Sequence, residues 1–247
     1  PSGARYPQQG SPFHTKYTIQ TIAHNAILVN GEGQKTKDEN SGGELINYKS
    51  LPHIAYAAGD ATKCYGNSLS KYIRHVLLIR PSLIIIIDEI ESTKPIQIDW
   101  LMHSKEKFKI NNQSFVSHRN DAYMNVQLIS TTNFNITQDD SWSIDPKEGY
   151  PMVTEEPPAK QWHLKATNTS KSNTLKIAAI MSIGDDDEKP DIKITQEKKY
   201  HKITAQFPNQ GKVNIKLNLL DMKKKYLADI IYEFSSSKKE QLIIPFK

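Results

Sequence analysis

Apolar and polar positions along this chain alternate in short runs with a period of two. Ile96, Ile98, Trp100 and Met102 fall on one side of an extended segment, and Gln97, Asp99, Leu101 and His103 on the other. Comparable runs cover residues 26–30, 45–49, 53–57, 72–79, 83–90 and 123–129. A later group covers 162–166, 175–183, 200–207, 213–219, 227–234 and 241–246. They are rich in Ile, Val, Tyr and Phe, and turn-forming residues separate them, as at Arg80-Pro81-Ser82. Residues 223–231 form the one window that also reads as a short helix. The pattern predicts an all-β fold, a large antiparallel β-sandwich (supersandwich-like) with few or no helices. It is expected to run through residues 1–247. Residues 1–137 carry most of the motifs, and 138–160 form a long loop with four prolines. Residues 161–247 supply the last strands of the same sandwich or a small second one.

Composition adds a modest constraint. Lys and Arg total 32 against 27 Asp and Glu, a formal net charge of +5. That balance favours anionic partners, and an acidic polysaccharide fits it. No zinc-finger spacing or RNP-type aromatic signature is present, so nucleic acid is not an expected partner. The same lysines also serve simply to solvate strand faces and edges. The longest apolar run, Leu83 to Ile87, is too short to span a bilayer. Cys64 is the only cysteine, which excludes an intrachain disulfide, and its loop reads as exposed. The first residues lack both Met and the apolar core of a signal peptide, so the chain is expected to be a processed or truncated piece. The acidic stretch 184–190 lacks the alternating ligand spacing of a calcium loop and reads as a solvated hairpin tip.

The chemistry-bearing residues gather near the start. In Gln20-Thr21-Ile22-Ala23-His24-Asn25-Ala26-Ile27-Leu28-Val29-Asn30-Gly31-Glu32-Gly33-Gln34 a histidine stands just before a buried strand. By itself such a residue is either a satisfied structural histidine or a ligand. No His-x-His or His-x-x-x-His pair occurs, so a self-contained zinc site is not expected. His14, in the loop Pro12-Phe13-His14 close to His24, is a candidate for a substrate-facing role. Asp60 is expected to fix a turn, and Asp88 and Glu89 to pair with Arg74 or Arg80 across a hairpin. His103, on a Trp-bearing strand, reads as a core or supporting histidine. Trp100, Trp142 and Trp162 show no spacing that makes a planar sugar platform.

Order and spacing of several motifs carry a family resemblance. These are Gly10-Ser11-Pro12-Phe13-His14, Thr18 to Asn25, and Gly31-Glu32-Gly33-Gln34. They continue with Tyr56-Ala57-Ala58-Gly59-Asp60-Ala61 and Tyr65, then Arg74 to Pro81, Ile85 to Glu89, and Trp100-Leu101-Met102-His103-Ser104. Together they resemble the C-terminal β-sandwich region of the heparinase II/III-like polysaccharide lyases. The resemblance implies that His24 is a metal ligand, for zinc or another divalent ion. A further His and an Asp just upstream of Pro1 complete the implied set. It implies an acidic, uronate-containing glycan as substrate, of the heparin/heparan sulfate or alginate type, cleaved by β-elimination. The catalytic Tyr and His are then expected on an N-terminal α-toroid of the parent protein, so this chain alone is expected to be inert. A periplasmic or secreted location follows from the same resemblance. Two other readings use the same sandwich, a non-catalytic carbohydrate-binding module and a purely structural one.

Overall fold

The computed structural model describes residues 7–149, 161–185, 189–198, 200–220, 226–234 and 238–246. The strands in order are β1 (Ile27–Val29), β2 (Glu44–Ser50), β3 (Ile54–Asp60), β4 (Lys71–Ile79), β5 (Leu83–Ile96) and β6 (Ile98–Ser104). Next come β7 (Lys109–Asn111), β8 (Ser114–Arg119), β9 (Ala122–Ser130), β10 (Phe134–Asp139), β11 (Trp162–Asn168) and β12 (Ser172–Asp185). The last five are β13 (Asp191–Gln196), β14 (His201–Phe207), β15 (Gly211–Leu217), β16 (Tyr226–Phe234) and β17 (Lys239–Pro245). Among the described residues helical structure is confined to short turns, one π-helical at His14–Thr18 and 3-10 turns at Thr21–Ala23, Thr62–Ser68 and Pro146–Gly149.

The strands form three antiparallel sheets. Their orders are β1-β6-β11-β10, β2-β3-β4-β5-β12-β9-β8-β7 and β13-β14-β15-β16-β17. The eight-stranded sheet is the shared middle layer. One face packs against the five-stranded sheet, with Leu77, Ile85, Ile87 and Ile180 meeting Ile203, Phe207, Ile215 and Ile230. The other face packs against the four-stranded sheet, where Phe115, Val126 and Ile177 meet Ile27, Trp100 and Leu164. This explains the unbroken apolar run in β5: its centre contributes to both cores, Ile85 and Ile87 to one and Ile84 and Ile86 to the other. At Gln97 the chain leaves the middle sheet and continues as β6 in the four-stranded one. The alternation expected there holds, since Ile98, Trp100 and Met102 enter the core.

Local chemistry explains several turns. Asn30 and Gly31 take positive φ, 52° and 84°, as an Asn-Gly hairpin turn requires, and Val29 bridges to Glu32. Asp60 Oδ1 accepts the Thr62 amide at 2.8 Å, the expected turn-fixing bond. Asp60→Ala is expected to cost about 1 kcal/mol in urea unfolding. An unchanged midpoint would mean that the turn holds without this bond.

Two expectations change. The window 223–231 is not helical where described: Tyr226–Phe234 is a strand, with Leu227, Ile230 and Tyr232 buried between β15 and β17. Period-two burial overrides its local helix propensity. Cys64 is buried, packed in the core beside Tyr65. In the acidic stretch, residues 186–188 lie outside the described residues, as do 150–160 of the long loop.

Candidate functional site

β6 and β11 are the central strands of the four-stranded sheet, and their outward side chains are Leu101 and His103, and His163 and Lys165. Over this face lie residues 13–25 and the segment after β10. Phe13, Tyr17 and Ala23 form a small apolar cluster there with Trp142 and Ile144. Trp142 packs edge-on against Phe13 and Tyr17, so it anchors this cover. Between cover and sheet remains a cleft of about 200 Å³. Tyr17, His103, Asp139, Ser141, His163 and Lys165 supply its polar lining.

Two histidines meet in it because the register of β6 and β11 sets His163 directly opposite His103. Their rings stand edge to face, 5.1 Å between centroids. His163 Nδ1 lies 3.3 Å from the Tyr17 hydroxyl. Its Nε2 is buried and has no hydrogen-bond partner among the described residues. Burial lowers the His163 pKa, against the pull of Asp139 and Asp140. Burial and Asp139 together push the Tyr17 phenol well above its usual range.

His103 is held from both sides. Nδ1 lies 3.0 Å from Asn25 Oδ1 and Nε2 lies 3.0 Å from the Ile22 carbonyl. A neutral imidazole carries one N–H, so it makes only one of these bonds at a time. Burial, then the neighbouring His163, lowers its pKa to about 4, so it is neutral at pH 7. Asn25 Oδ1 also accepts the His103 amide at 2.9 Å, while the Asn25 carbonyl accepts Arg74 Nη1 at 2.8 Å. Arg74 is locked to buried Asp88 by two bonds of 2.7 and 2.8 Å. The chain from Asp88 through Arg74 and Asn25 to His103 thus ties the middle sheet to the cleft.

His24 sits beside this chain. Its Nε2–H donates to the Thr18 carbonyl at 3.0 Å, which leaves the Nδ1 lone pair without a hydrogen-bond partner among the described residues. Burial lowers its pKa, so that lone pair is present at neutral pH. His14 opens the turn on which His24 docks. It is 7% exposed, its Nδ1 accepts the Gly10 amide at 3.1 Å, and it is not part of the cleft lining. A larger open groove of about 920 Å³ runs past Lys35, Asp38, Glu44, Asp60, Lys63 and Asn67. It holds neither a histidine nor an unpartnered buried polar atom, so the smaller cleft is the better candidate.

Residues 2–214 match the family described as Heparinase II/III-like, C-terminal. The chain belongs to that family. This heparinase II/III-like chain also shares its fold with solved structures. One is a heparinase III, the BT4657 gene product with methylated lysines. It has a TM-score of 0.62 and 14% identity, over 100% of this chain and 34% of that one. Another is the heparan sulfate lyase HepC from Pedobacter heparinus, with a TM-score of 0.63 and 13% identity, over 99% of this chain and 34% of that one. The heparinase II/III-like chain therefore spans about a third of their length. At such identities the likeness is one of fold. No curated protein matches the sequence.

Among the described residues His24 Nδ1 is a suitable donor for the metal implied by the heparinase II/III-like resemblance. Among the described residues no three His, Cys, Asp or Glu side chains gather to hold an ion. No described helix is long and apolar enough to cross a membrane. Sequence reading singled out His24 and His14 and took His103 for a core or supporting histidine; it missed Tyr17, Asp139 and His163. The one local signal for His163 was its place, with Lys165, on the polar face of a strand whose other side is Trp162, Leu164 and Ala166.

Proposed function

We propose that this chain is the sandwich portion of a polysaccharide lyase acting on uronate-containing acidic glycans, of the heparan sulfate or alginate type. The observation that carries this is the family match; His24, whose Nδ1 has no hydrogen-bond partner among the described residues and which the resemblance implies is a metal ligand, supports it. The reaction is a β-elimination. A base removes the proton at C5 of the uronate, the C4–O bond breaks, a C4=C5 double bond forms, and the leaving oxygen takes up a proton. A zinc or similar ion held by His24, with donors beyond the described residues, would bring positive charge near the site. His24 contributes a fixed, neutral imidazole to that arrangement. Asn25 and Arg74 keep the segment in place against the sheet. The principal base and acid are assigned to an N-terminal α-toroid of the parent, so this chain alone has no turnover. Any contact of His14 with substrate runs through the 7% of the residue that stays exposed. A periplasmic or secreted site of action belongs to the same reading, because the substrates are extracellular polymers.

The test is an assay of the full-length parent on heparan sulfate and on alginate, following the absorbance of the unsaturated product. Turnover is expected from the parent and none above buffer from this chain. His24→Ala in the parent is expected to lower bound metal and activity together. Unchanged metal content with a lowered melting temperature would make His24 a structural histidine, whose loss costs about 1–3 kcal/mol through an unpaired partner. A parent that binds these glycans without cleaving them would support a non-catalytic carbohydrate-binding module instead.

A further inference from the structure

The outer face of the five-stranded sheet lies at the opposite end of the stack from the histidine cleft, with the middle sheet between them. On β14 and β15 the inward positions are apolar, Ile203, Ala205 and Phe207, then Val213, Ile215 and Leu217. The outward positions are basic and polar. Lys193 on β13, Lys202 on β14, and Lys212 and Lys216 on β15 surround Thr204. Three of these lysines line a shallow groove of about 450 Å³. The register sets Lys202 directly opposite Lys216. Like charges so placed are destabilising, by about 0.2–1 kcal/mol for a cross-strand pair. A face that needed only to be solvated gains nothing from that arrangement.

Nearby acids offset it only in part. Glu233 pairs with Lys239 at 2.8 Å, and it also feels Lys212 at longer range. Asp229, opposite Lys216 in register, accepts from Gln241 at 2.9 Å but keeps its charge, so it offsets Lys216 without forming an ion pair within 4.0 Å. Asp191 reaches Lys193 at 3.8 Å, both well exposed. Among the described residues Lys202, Lys212 and Lys216 have no ion-pair partner within 4.0 Å.

We propose that the outer face of β13–β15 is a docking surface for an acidic polysaccharide chain. The ammonium groups are carried on neighbouring strands about 4.8 Å apart, a ladder that a linear polyanion can follow. Thr195, Thr204 and Gln206 interleave hydroxyl and amide groups that suit sugar hydroxyls. No outward position on these three strands is Arg or aromatic, so there is neither a bidentate phosphate fork nor a base-stacking platform. That chemistry favours a carboxylated or sulfated glycan over nucleic acid. The choice of glycan rests on the lyase reading above, and the surface would hold the polymer while another part of the parent acts on it.

Affinity electrophoresis of this chain through gels containing alginate, heparan sulfate, dextran or duplex DNA tests the proposal. Retardation is expected in the two acidic glycans and not in dextran, and it is expected to fade with added salt. Lys202→Glu turns the like-charged pair with Lys216 into an opposite one, so the melting temperature is expected to hold or rise. With Lys212→Glu added, binding is expected to weaken about tenfold. The neutral pair Lys202→Gln and Lys212→Gln gives a smaller loss and guards against misfolding of the charge-reversed form. Lys109→Glu, an exposed lysine on edge strand β7, is expected to leave retardation unchanged. Absent retardation of the wild type, equal retardation by dextran, stronger retardation by DNA, or unchanged mobility of the folded double variants would each overturn the surface. Retardation that persists while the full-length parent shows no elimination would count against the lyase reading and leave this surface standing.

Discussion

Arg74→Met is expected to cost the fold about 3–5 kcal/mol, because it strands the Asp88 carboxylate inside the protein without its countercharge. The Asp88 side chain is 1% exposed and takes both of its short bonds from Arg74. Burial alone would lower the Arg74 pKa, yet Asp88 raises it beyond its usual value, so the guanidinium stays charged. The Tyr72 hydroxyl donates to the same carboxylate at 3.3 Å, and its own pKa is raised first by burial and then by Asp88. Asp88 is therefore the point on which the polar groups of both Arg74 and Tyr72 depend. Replacing all of them together, Arg74→Met with Asp88→Leu and Tyr72→Phe, removes the stranded groups, and most of the stability is expected to return. The triple variant still lacks the bond from Arg74 to the Asn25 carbonyl. Its cleft histidines are then expected to lose their fixed geometry, seen as shifted imidazole resonances, while the fold persists. Urea unfolding measures both effects. A single substitution costing under about 1 kcal/mol would mean that Asp88 finds water or another partner, and the coupling to the cleft would fall with it.

Pairing at Asp88 and Glu89 shows what a sequence can and cannot convey. Adjacent strand residues face opposite ways, so the two acids serve different cores. Asp88 stands opposite Arg74 in register and binds it, as expected. Glu89 instead meets His75 at 2.9 Å and Lys71 at 3.2 Å, and Arg80 turns to the carbonyls of Leu51 and Pro52. Candidate partners were visible in the sequence, but the register that selects among them was not. The same holds for the cleft. His24 announces itself by its place before an apolar strand. His103 and His163 meet only because β6 and β11 pair across sixty residues of intervening chain. Strands were legible where a buried face imposes alternation, as at Ile98, Trp100 and Met102. β8, inside the middle sheet between β9 and β7, went unread, as did β7, β10 and β13, each an edge strand of its sheet. Their exposed Lys, Asn, Thr and Gln positions leave little apolar periodicity to detect. The charged outer face of β13–β15 is hidden for the same reason, since its lysines acquire meaning only when three strands align.

Acidification is expected to weaken the fold between about pH 6.5 and pH 4, chiefly through His103. In the unfolded chain this imidazole takes up a proton near its ordinary value of 6.5, whereas in the fold it does so only at about 4. Over that interval the unfolded state binds more protons, so stability falls as pH falls and levels off below the folded value. The difference corresponds to about 3 kcal/mol for this one group. His24, His163 and His201 are also held below their ordinary values, first by burial, and add in the same direction. Glu89 contributes in a more acidic window. Burial raises its pKa, but the bonds from His75 and Lys71 outweigh that and hold it below 4.5, so its stabilisation is lost as pH drops through that lowered value. His103→Gln keeps a side-chain donor for one carbonyl and removes the titrating ring. It is expected to flatten the dependence of unfolding free energy on pH by about 1.4 kcal/mol per pH unit within the His103 window, while leaving the Glu89 limb in place. Urea midpoints for both proteins at several pH values across that window decide the matter. Parallel curves would mean that His103 titrates near its ordinary value, accepting its proton in the fold by donating to Asn25 and Ile22 at once. That outcome would make His103 a resident cation of the cleft at mildly acidic pH, the opposite of the neutral, buried imidazole argued from its surroundings.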